Sequence, residues 1–102
     1  MSSPESNIAT DALVRQMRDQ ITDNDVKLIA AINARLQLVA RLREYKEGRG
    51  IAFVDHTREE YMHQFMQAVN KGPLSADGLR EIYDDILALT KRETERRDGE
   101  SG

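Results

Sequence analysis

The chain has 102 residues with 15 Lys and Arg against 18 Asp and Glu, so its formal net charge is −3, and it contains no Cys. This length accommodates one domain, the absence of Cys excludes thiolate metal sites and cysteine nucleophiles, and the mildly acidic balance gives no reason to expect nucleic-acid binding. No segment reaches the roughly 18 consecutive apolar residues of a membrane span, and the first ten residues lack the apolar core of a signal peptide. We therefore expect a soluble, cytoplasmic protein with neither nucleic acid nor membrane as a partner.

A very long helix is predicted first. Residues 10–47 contain neither Pro nor Gly and are followed by Gly48 and Gly50, whereas residues 1–9 predict a flexible N-terminus. At about 1.5 Å per residue this helix is roughly 57 Å long, while a compact chain of this length has a radius of gyration of about 13 Å. Two shorter helices cannot cover an apolar stripe of that length. We therefore expect an obligate homodimer, in which a second copy covers the excess.

The rest of the chain predicts two shorter helices and a tail. The second helix begins near Asp55 or at the capping-box spacing of Thr57, and it stops before Gly72. Ser75 is the expected N-cap of the third helix. Residues 96–102 are charged and glycine-bearing, which predicts a disordered tail. No segment alternates like a strand, so the predicted fold class is all-α with three helices per chain.

Charged side chains interrupt the apolar seam of the first helix. Alternating steps of four and three residues give this seam: Val14, Arg18, Ile21, Asp25, Leu28, Ile32, Arg35, Val39, Leu42 and Lys46. An unpaired charge buried there is costly, and we interpret Asp25 as a residue that fixes register or oligomeric state. Arg35 and Lys46 point the same way about 16 Å apart, three helical turns. Two such cations without a carboxylate one turn away indicate either a buried anion between them or side chains that extend to solvent.

Each of the other polar positions is less informative when it is taken alone. Arg58 and Glu59 fall in the first turn of the second helix, where surface charges are ordinary. Thr90 and Thr94 extend the apolar stripe of the third helix, where a threonine either bonds back to its own helix or offers its hydroxyl to the same anion. The two histidines are seven residues apart, too far to share one metal ion, so no metal site is predicted.

The ordered set of charged residues resembles a known family. The segments that carry the resemblance are residues 17–25 (MRDQITDND), Leu28-Ile29, Ala34-Arg35, Lys46 and residues 54–59 (VDHTRE). They are similar to the pattern of the all-helical (type II) chorismate mutases, in which Arg, a seam Asp, Arg, Lys and Asp-x-x-Arg-Glu follow in this order. The resemblance continues less specifically through the third helix, so a chorismate mutase-like helical domain is expected over residues 10–95.

The resemblance implies an intertwined helical homodimer that converts chorismate into prephenate on the route to phenylalanine and tyrosine. The implied reaction is an intramolecular Claisen-type rearrangement, which needs no cofactor. The resemblance also implies that Arg18 enters the site of the other subunit, where Arg18 and Arg35 bind the two carboxylates of the substrate. The two arginines are seventeen residues apart, about 25 Å along one helix, too far to hold one small ligand together. Activation by a partner enzyme of the shikimate route is left open.

Further roles follow from the resemblance, residue by residue. Lys46 would contact the ether oxygen and a carboxylate of the substrate. Asp55, through its backbone, and Glu59 would receive the ring hydroxyl. Arg58 would support the carboxylate side, and Thr90 stands where the family has a small hydroxyl residue near the ring carboxylate.

One position departs from the family pattern. One turn after the hydroxyl residue the family commonly has Gln or Glu, which hydrogen-bonds the ether oxygen, and this chain has the shorter Thr94. The catalytic candidates are therefore Lys46, Arg35 and Thr94. Two alternatives on the same fold stay open, an isochorismate pyruvate-lyase and a 4-amino-4-deoxychorismate mutase, since Glu59 suits a ring ammonium as well as a hydroxyl. The alternative from another class is a non-catalytic helical dimer that binds a partner protein or a regulatory metabolite.

Overall fold

A computed structural model of the chain describes the backbone of residues 4–101 and the side chains of residues 11–96. It contains three helices, α1 (Pro4–Gly48), α2 (His56–Val69) and α3 (Ala76–Ser101), and no strand within the described backbone. The all-α class and the single long first helix are thereby confirmed. None of the helices in the described part of the chain combines the length and the apolarity needed to cross a bilayer.

The end of α1 is fixed by a Schellman motif. The backbone N–H of Ile51 donates to the carbonyl of Lys46 at 2.8 Å, and that of Gly50 donates to the carbonyl of Glu47 at 3.2 Å. Gly50 has a φ of +67°, the left-handed conformation that this motif requires and that glycine adopts without a steric penalty. The predicted helix stop is therefore confirmed. It sets the backbone of Lys46 at the point where the chain turns away from α1.

The two shorter helices begin at side-chain caps. The carboxylate of Asp55 accepts a hydrogen bond from the backbone N–H of Arg58 at 3.1 Å, and α2 starts at the next residue. Of the two predicted starts, Asp55 is confirmed and Thr57 is wrong, because Thr57 already lies inside the helix. Ser75 caps α3 as predicted, since its hydroxyl oxygen accepts from the backbone N–H of Gly78 at 2.9 Å.

The predicted ends of the chain differ from the helix bounds. The first helix begins at Pro4 rather than near Thr10, and α3 continues to Ser101. The flexible N-terminus expected for residues 1–9 and the disordered tail expected for residues 96–102 fall almost entirely outside the residues whose side chains are described. Both stay predictions.

The chain divides into two units, residues 1–35 and residues 36–102. In the second unit, α2 and α3 pack on each other through His63. Its ring lies edge-on to Tyr83, with 5.2 Å between ring centroids, and its Nε2 is 2.9 Å from a carboxylate oxygen of Asp84. The buried residues among those described are His63, Tyr83 and Thr90, all in this unit. The α2–α3 pair therefore supplies the small core that a single chain has.

Within the described part of the first unit, residues 11–35, almost every side chain is exposed. Val14, Ile32 and Arg35 are half-buried. Six large apolar side chains of this segment are 51–64 % exposed: Leu13, Met17, Ile21, Val26, Leu28 and Ile29. Monomeric soluble proteins rarely expose apolar surface in such continuity. The described chain therefore leaves apolar surface of α1 uncovered, and the homodimer stays a prediction.

Candidate functional site

Six of the eight predicted site residues lie in the second unit, at three places along the chain. They are Lys46 at the end of α1, Asp55, Arg58 and Glu59 at the start of α2, and Thr90 and Thr94 in α3.

Lys46 is half-buried in the last turn of α1. Its ammonium Nζ donates to the backbone carbonyl of Phe53, in the linker between α1 and α2, at 3.4 Å. An ammonium has three donors, so this long hydrogen bond leaves donor capacity for an anion. The side chain is thus oriented toward the linker by one contact, which a bound ligand does not have to break.

Asp55 uses its polar groups to begin α2. Its carboxylate caps the backbone N–H of Arg58, and its carbonyl accepts from the backbone N–H of Glu59 at 3.1 Å. Both groups serve the first turn of the helix. The geometry therefore favours a structural role for the Asp55 carboxylate. This agrees with the implication that a substrate contact of this residue runs through its backbone.

Arg58 and Glu59 follow in the first turn of α2. The guanidinium carbon of Arg58 is 5.6 Å from the ring centre of Tyr61, and Arg58 is exposed. Glu59 is half-buried, with a carboxylate oxygen 3.6 Å from Nδ1 of His56. Glu59 also sits where the helix dipole favours an anion. A carboxylate and a guanidinium thus stand side by side at the N-terminus of α2, both within reach of solvent.

Thr90 and Thr94 both bond back to their own helix. The hydroxyl of Thr90 donates to the carbonyl of Ile86, and that of Thr94 donates to the carbonyl of Thr90, each at 2.7 Å. The back-bonding interpretation of these threonines is therefore confirmed. A hydroxyl carries one proton, so Thr94 in this rotamer cannot donate to an ether oxygen; it must first rotate away from the Thr90 carbonyl.

Arg43 joins this group of residues, and sequence reasoning missed it. Its Nε is 3.0 Å from a carboxylate oxygen of Glu47, and its Nη1 donates to the carbonyl of Thr94 in a long hydrogen bond of 3.5 Å. Its guanidinium carbon is 5.8 Å from the ring centre of Phe53. In the sequence, Arg43 and Glu47 form an ordinary i, i+4 surface pair. The contacts with Phe53 and Thr94 could not be inferred from that pair.

The remaining two predicted residues, Arg18 and Arg35, belong to the first unit. Arg18 is exposed and Arg35 is half-buried. Because α1 is continuous between them, they are about 25 Å apart along the helix axis. Within one chain, therefore, the two arginines cannot meet on one small ligand.

The described residues contain no group of three or more His, Asp or Glu side chains placed to hold a metal ion. A comparison with protein-family models matches residues 17–95 to the family described as chorismate mutase type II. The match begins one residue before Arg18 and ends one residue after Thr94, so it spans every predicted site residue. A comparison with curated proteins gives no match.

Proposed function

The chain belongs to the chorismate mutase type II family, a family of isomerases, and we propose that its own reaction is the conversion of chorismate into prephenate in the formation of phenylalanine and tyrosine. The observation that carries the proposal is the family match over residues 17–95, within which Arg, Arg, Lys and Asp-x-x-Arg-Glu keep their order. In this reaction one C–O bond breaks and one C–C bond forms within a single molecule. The protein has to position the substrate and stabilise charge, without a nucleophile or a proton transfer.

Lys46 is the residue that we assign to the ether oxygen. Negative charge grows on that oxygen as the C–O bond breaks, and a fixed cation beside it stabilises the transition state more than the ground state. The half-buried position of Lys46 supports this role, because a cation acts more strongly where water is partly excluded. Its ammonium has three donors, so it can keep its contact with the Phe53 carbonyl and still donate to the ether oxygen.

We assign the two substrate carboxylates to Arg35 of one subunit and Arg18 of the partner subunit. Two properties of residues 11–35 support a homodimer of this kind: their large apolar side chains are exposed, and the two arginines are too far apart along α1 to act together in one chain. Holding both carboxylates brings the side chain of chorismate over its ring, a positioning contribution to the rate.

The ring end of the substrate is assigned to the start of α2 and to α3. Glu59 and the backbone of Asp55 receive the ring hydroxyl, and Arg58 supports the carboxylate side. Thr90 is assigned to the ring carboxylate, to which its hydroxyl can donate only after it rotates away from the Ile86 carbonyl. We place Thr94 near the ether oxygen as a secondary donor, because its hydroxyl proton is shared with the Thr90 carbonyl.

An assay of the purified protein on three substrates tests the proposal. Chorismate, isochorismate and 4-amino-4-deoxychorismate are supplied separately, and the products sought are prephenate, salicylate with pyruvate, and the rearranged amino analogue. We expect prephenate from chorismate and little turnover of the other two. Salicylate with pyruvate, or the amino analogue, as the main product would replace the proposed substrate while keeping the fold.

Two other outcomes of the same assay are informative. Binding of a chorismate analogue without turnover of any of the three substrates would favour the non-catalytic dimer. Slow prephenate formation that rises when an enzyme of the shikimate route is added would support activation by such a partner.

A further inference from the structure

One guanidinium in the second unit connects three parts of the chain. Arg43 pairs with Glu47 on its own helix, lies against the ring of Phe53 in the linker, and donates to the carbonyl of Thr94 in α3. Its side chain is 24 % exposed, compared with 60 % for that of Glu47. Most of the Arg43 side chain is therefore shielded from water.

The same linker residue also holds Lys46. The Phe53 ring is within cation–π range of Arg43, while the Phe53 carbonyl accepts from Lys46 Nζ at 3.4 Å. Arg43 and Lys46 are three residues apart on α1, so they lie on the same side of the helix. A displacement of Phe53 would therefore move the acceptor that orients the Lys46 ammonium.

Arginine is the side chain that can make all these contacts. A guanidinium has five donors in a rigid planar fork and a flat face for an aromatic ring, whereas an ammonium is a point charge with three donors. A lysine at position 43 can keep the ion pair with Glu47. It cannot at the same time reach the Thr94 carbonyl and cover the Phe53 ring.

We propose that Arg43 is a positioning residue, which holds the linker and α3 against the end of α1 and so fixes Lys46 and Thr94 relative to the reacting ether. This inference rests on the proposed function. Arg43 acts through Lys46 rather than on the substrate, because its charge is already matched by Glu47. Its loss lowers turnover more than substrate binding, since the substrate carboxylates are assigned to other arginines.

Two substitutions, Arg43→Gln and Arg43→Lys, test the proposal, with Arg41→Gln and Arg41→Lys as matched controls. Arg41 lies on the same helix and is exposed. We expect both Arg43 variants to lower kcat on chorismate by about tenfold with KM changed by less than about twofold, since misplacement of a catalytic group slows the chemical step. Both Arg41 variants keep the kcat of the wild type. Full kcat in Arg43→Lys would overturn the proposal, because charge alone would then suffice.

A readout independent of turnover separates positioning from general stability. Hydrogen exchange of the Gly50 and Ile51 amides, which close the end of α1, and of residues 52–55 is expected to accelerate in Arg43→Gln and not in Arg41→Gln. Phe53→Leu is expected to reproduce part of the kcat loss. Exchange that accelerates equally throughout α2 and α3 would indicate only a loss of stability and would overturn the proposal.

The two proposals fail in different ways. Wild-type protein that turns over none of the three substrates contradicts the proposed function, while the exchange experiment still tests whether Arg43 holds the linker. Wild-type protein that is active, with Arg43 variants of unchanged kcat and unchanged exchange, contradicts the positioning role alone. If Arg43→Gln does not fold, Arg43→Lys carries the same comparison.

Discussion

The two units of this chain differ in how far their side chains are buried within the chain. In residues 36–96, polar groups find partners within the chain: His63 meets Asp84, Arg43 meets Glu47, and the threonines of α3 bond to their own helix. In residues 11–35, apolar side chains such as those of Ile21 and Leu28 are more than half exposed. The second unit thus has a small core of its own, although side chains such as Leu38 and Ile82 are also more than half exposed, whereas no described side chain of residues 11–35 is buried.

In our proposal, the exposed apolar surface of α1 is where this protein obtains its remaining core. Among the described residues, Tyr83 is the one buried apolar side chain, and it still keeps 8 % of its exposure. Burying one Leu, Ile, Val or Met side chain contributes roughly 1.5–3 kcal/mol to stability. Burying the exposed apolar side chains of α1 would therefore add a large stabilisation. A second copy that covers the seam uses it and also supplies Arg18 to the site. In our proposal, stability and substrate binding thus depend on the same helix.

The largest effect is expected from a charge placed in the seam, because it would directly disrupt the proposed interface formed by residues 11–35. Ile21→Asp removes an apolar contact from both copies, so the dimer should lose roughly 3–6 kcal/mol, more than a hundredfold in its dissociation constant. Sedimentation at micromolar concentration measures the change, with Gln20→Asp as the exposed neighbouring control. A wild-type protein that sediments as a well-folded monomer would contradict the proposed homodimer.

The second largest effect is expected in the second unit, from the loss of the Lys46 ammonium. Lys46→Ala should leave the fold intact and lower kcat on chorismate by at least about a hundredfold, because it removes about 3 kcal/mol or more of stabilisation at the ether oxygen. Steady-state kinetics with circular dichroism measure the two properties. The exposed Lys71→Ala is the matched control. Turnover close to that of the wild type would remove Lys46 from the mechanism.

A smaller effect is expected from a mixture of two variants, which tests whether one subunit completes the site of the other. Arg18→Ala and Arg35→Ala dimers should each be inactive. Mixing them should restore about a quarter of the wild-type activity, since half of the randomly exchanged dimers are heterodimers with one intact site of two. The measurement is turnover after subunit exchange, verified with tagged chains. An inactive mixture after verified exchange would argue that each site is built from one chain.

The smallest effect concerns Thr94. Thr94→Val should lower kcat by no more than about threefold, because the hydroxyl proton is already given to the Thr90 carbonyl. Thr94→Gln, whose longer side chain ends in an amide donor, should raise kcat instead. Kinetics of the two variants side by side measure the difference. A hundredfold loss in Thr94→Val would show that this hydroxyl turns to the ether oxygen and acts as a main donor.

Sequence patterns predicted the helix ends well where the residue that stops or caps the helix acts on backbone groups close to it in the chain. Gly50 marks the end of α1, and Asp55 and Ser75 mark the starts of α2 and α3, because each acts on backbone groups within a few residues. The choice between Asp55 and Thr57 could not be made from spacing, since both carry a suitable oxygen. It depends on which residue adopts the extended backbone conformation of a cap.

The sequence by itself determined the all-helical fold, the family and the ordered set of charged site candidates, because helix periodicity and motif spacing are written along one chain. Only the tertiary structure decided which distant residues a side chain meets. It connected Arg43 to Phe53 and Thr94, a contact that depends on how the helices pack. The Thr94 bond to the Thr90 carbonyl and the Asp55 cap are local contacts within a few residues, which sequence patterns can indicate. The net charge of −3 is a sum over the whole chain, so it gives no information about the basic residues near the end of α1.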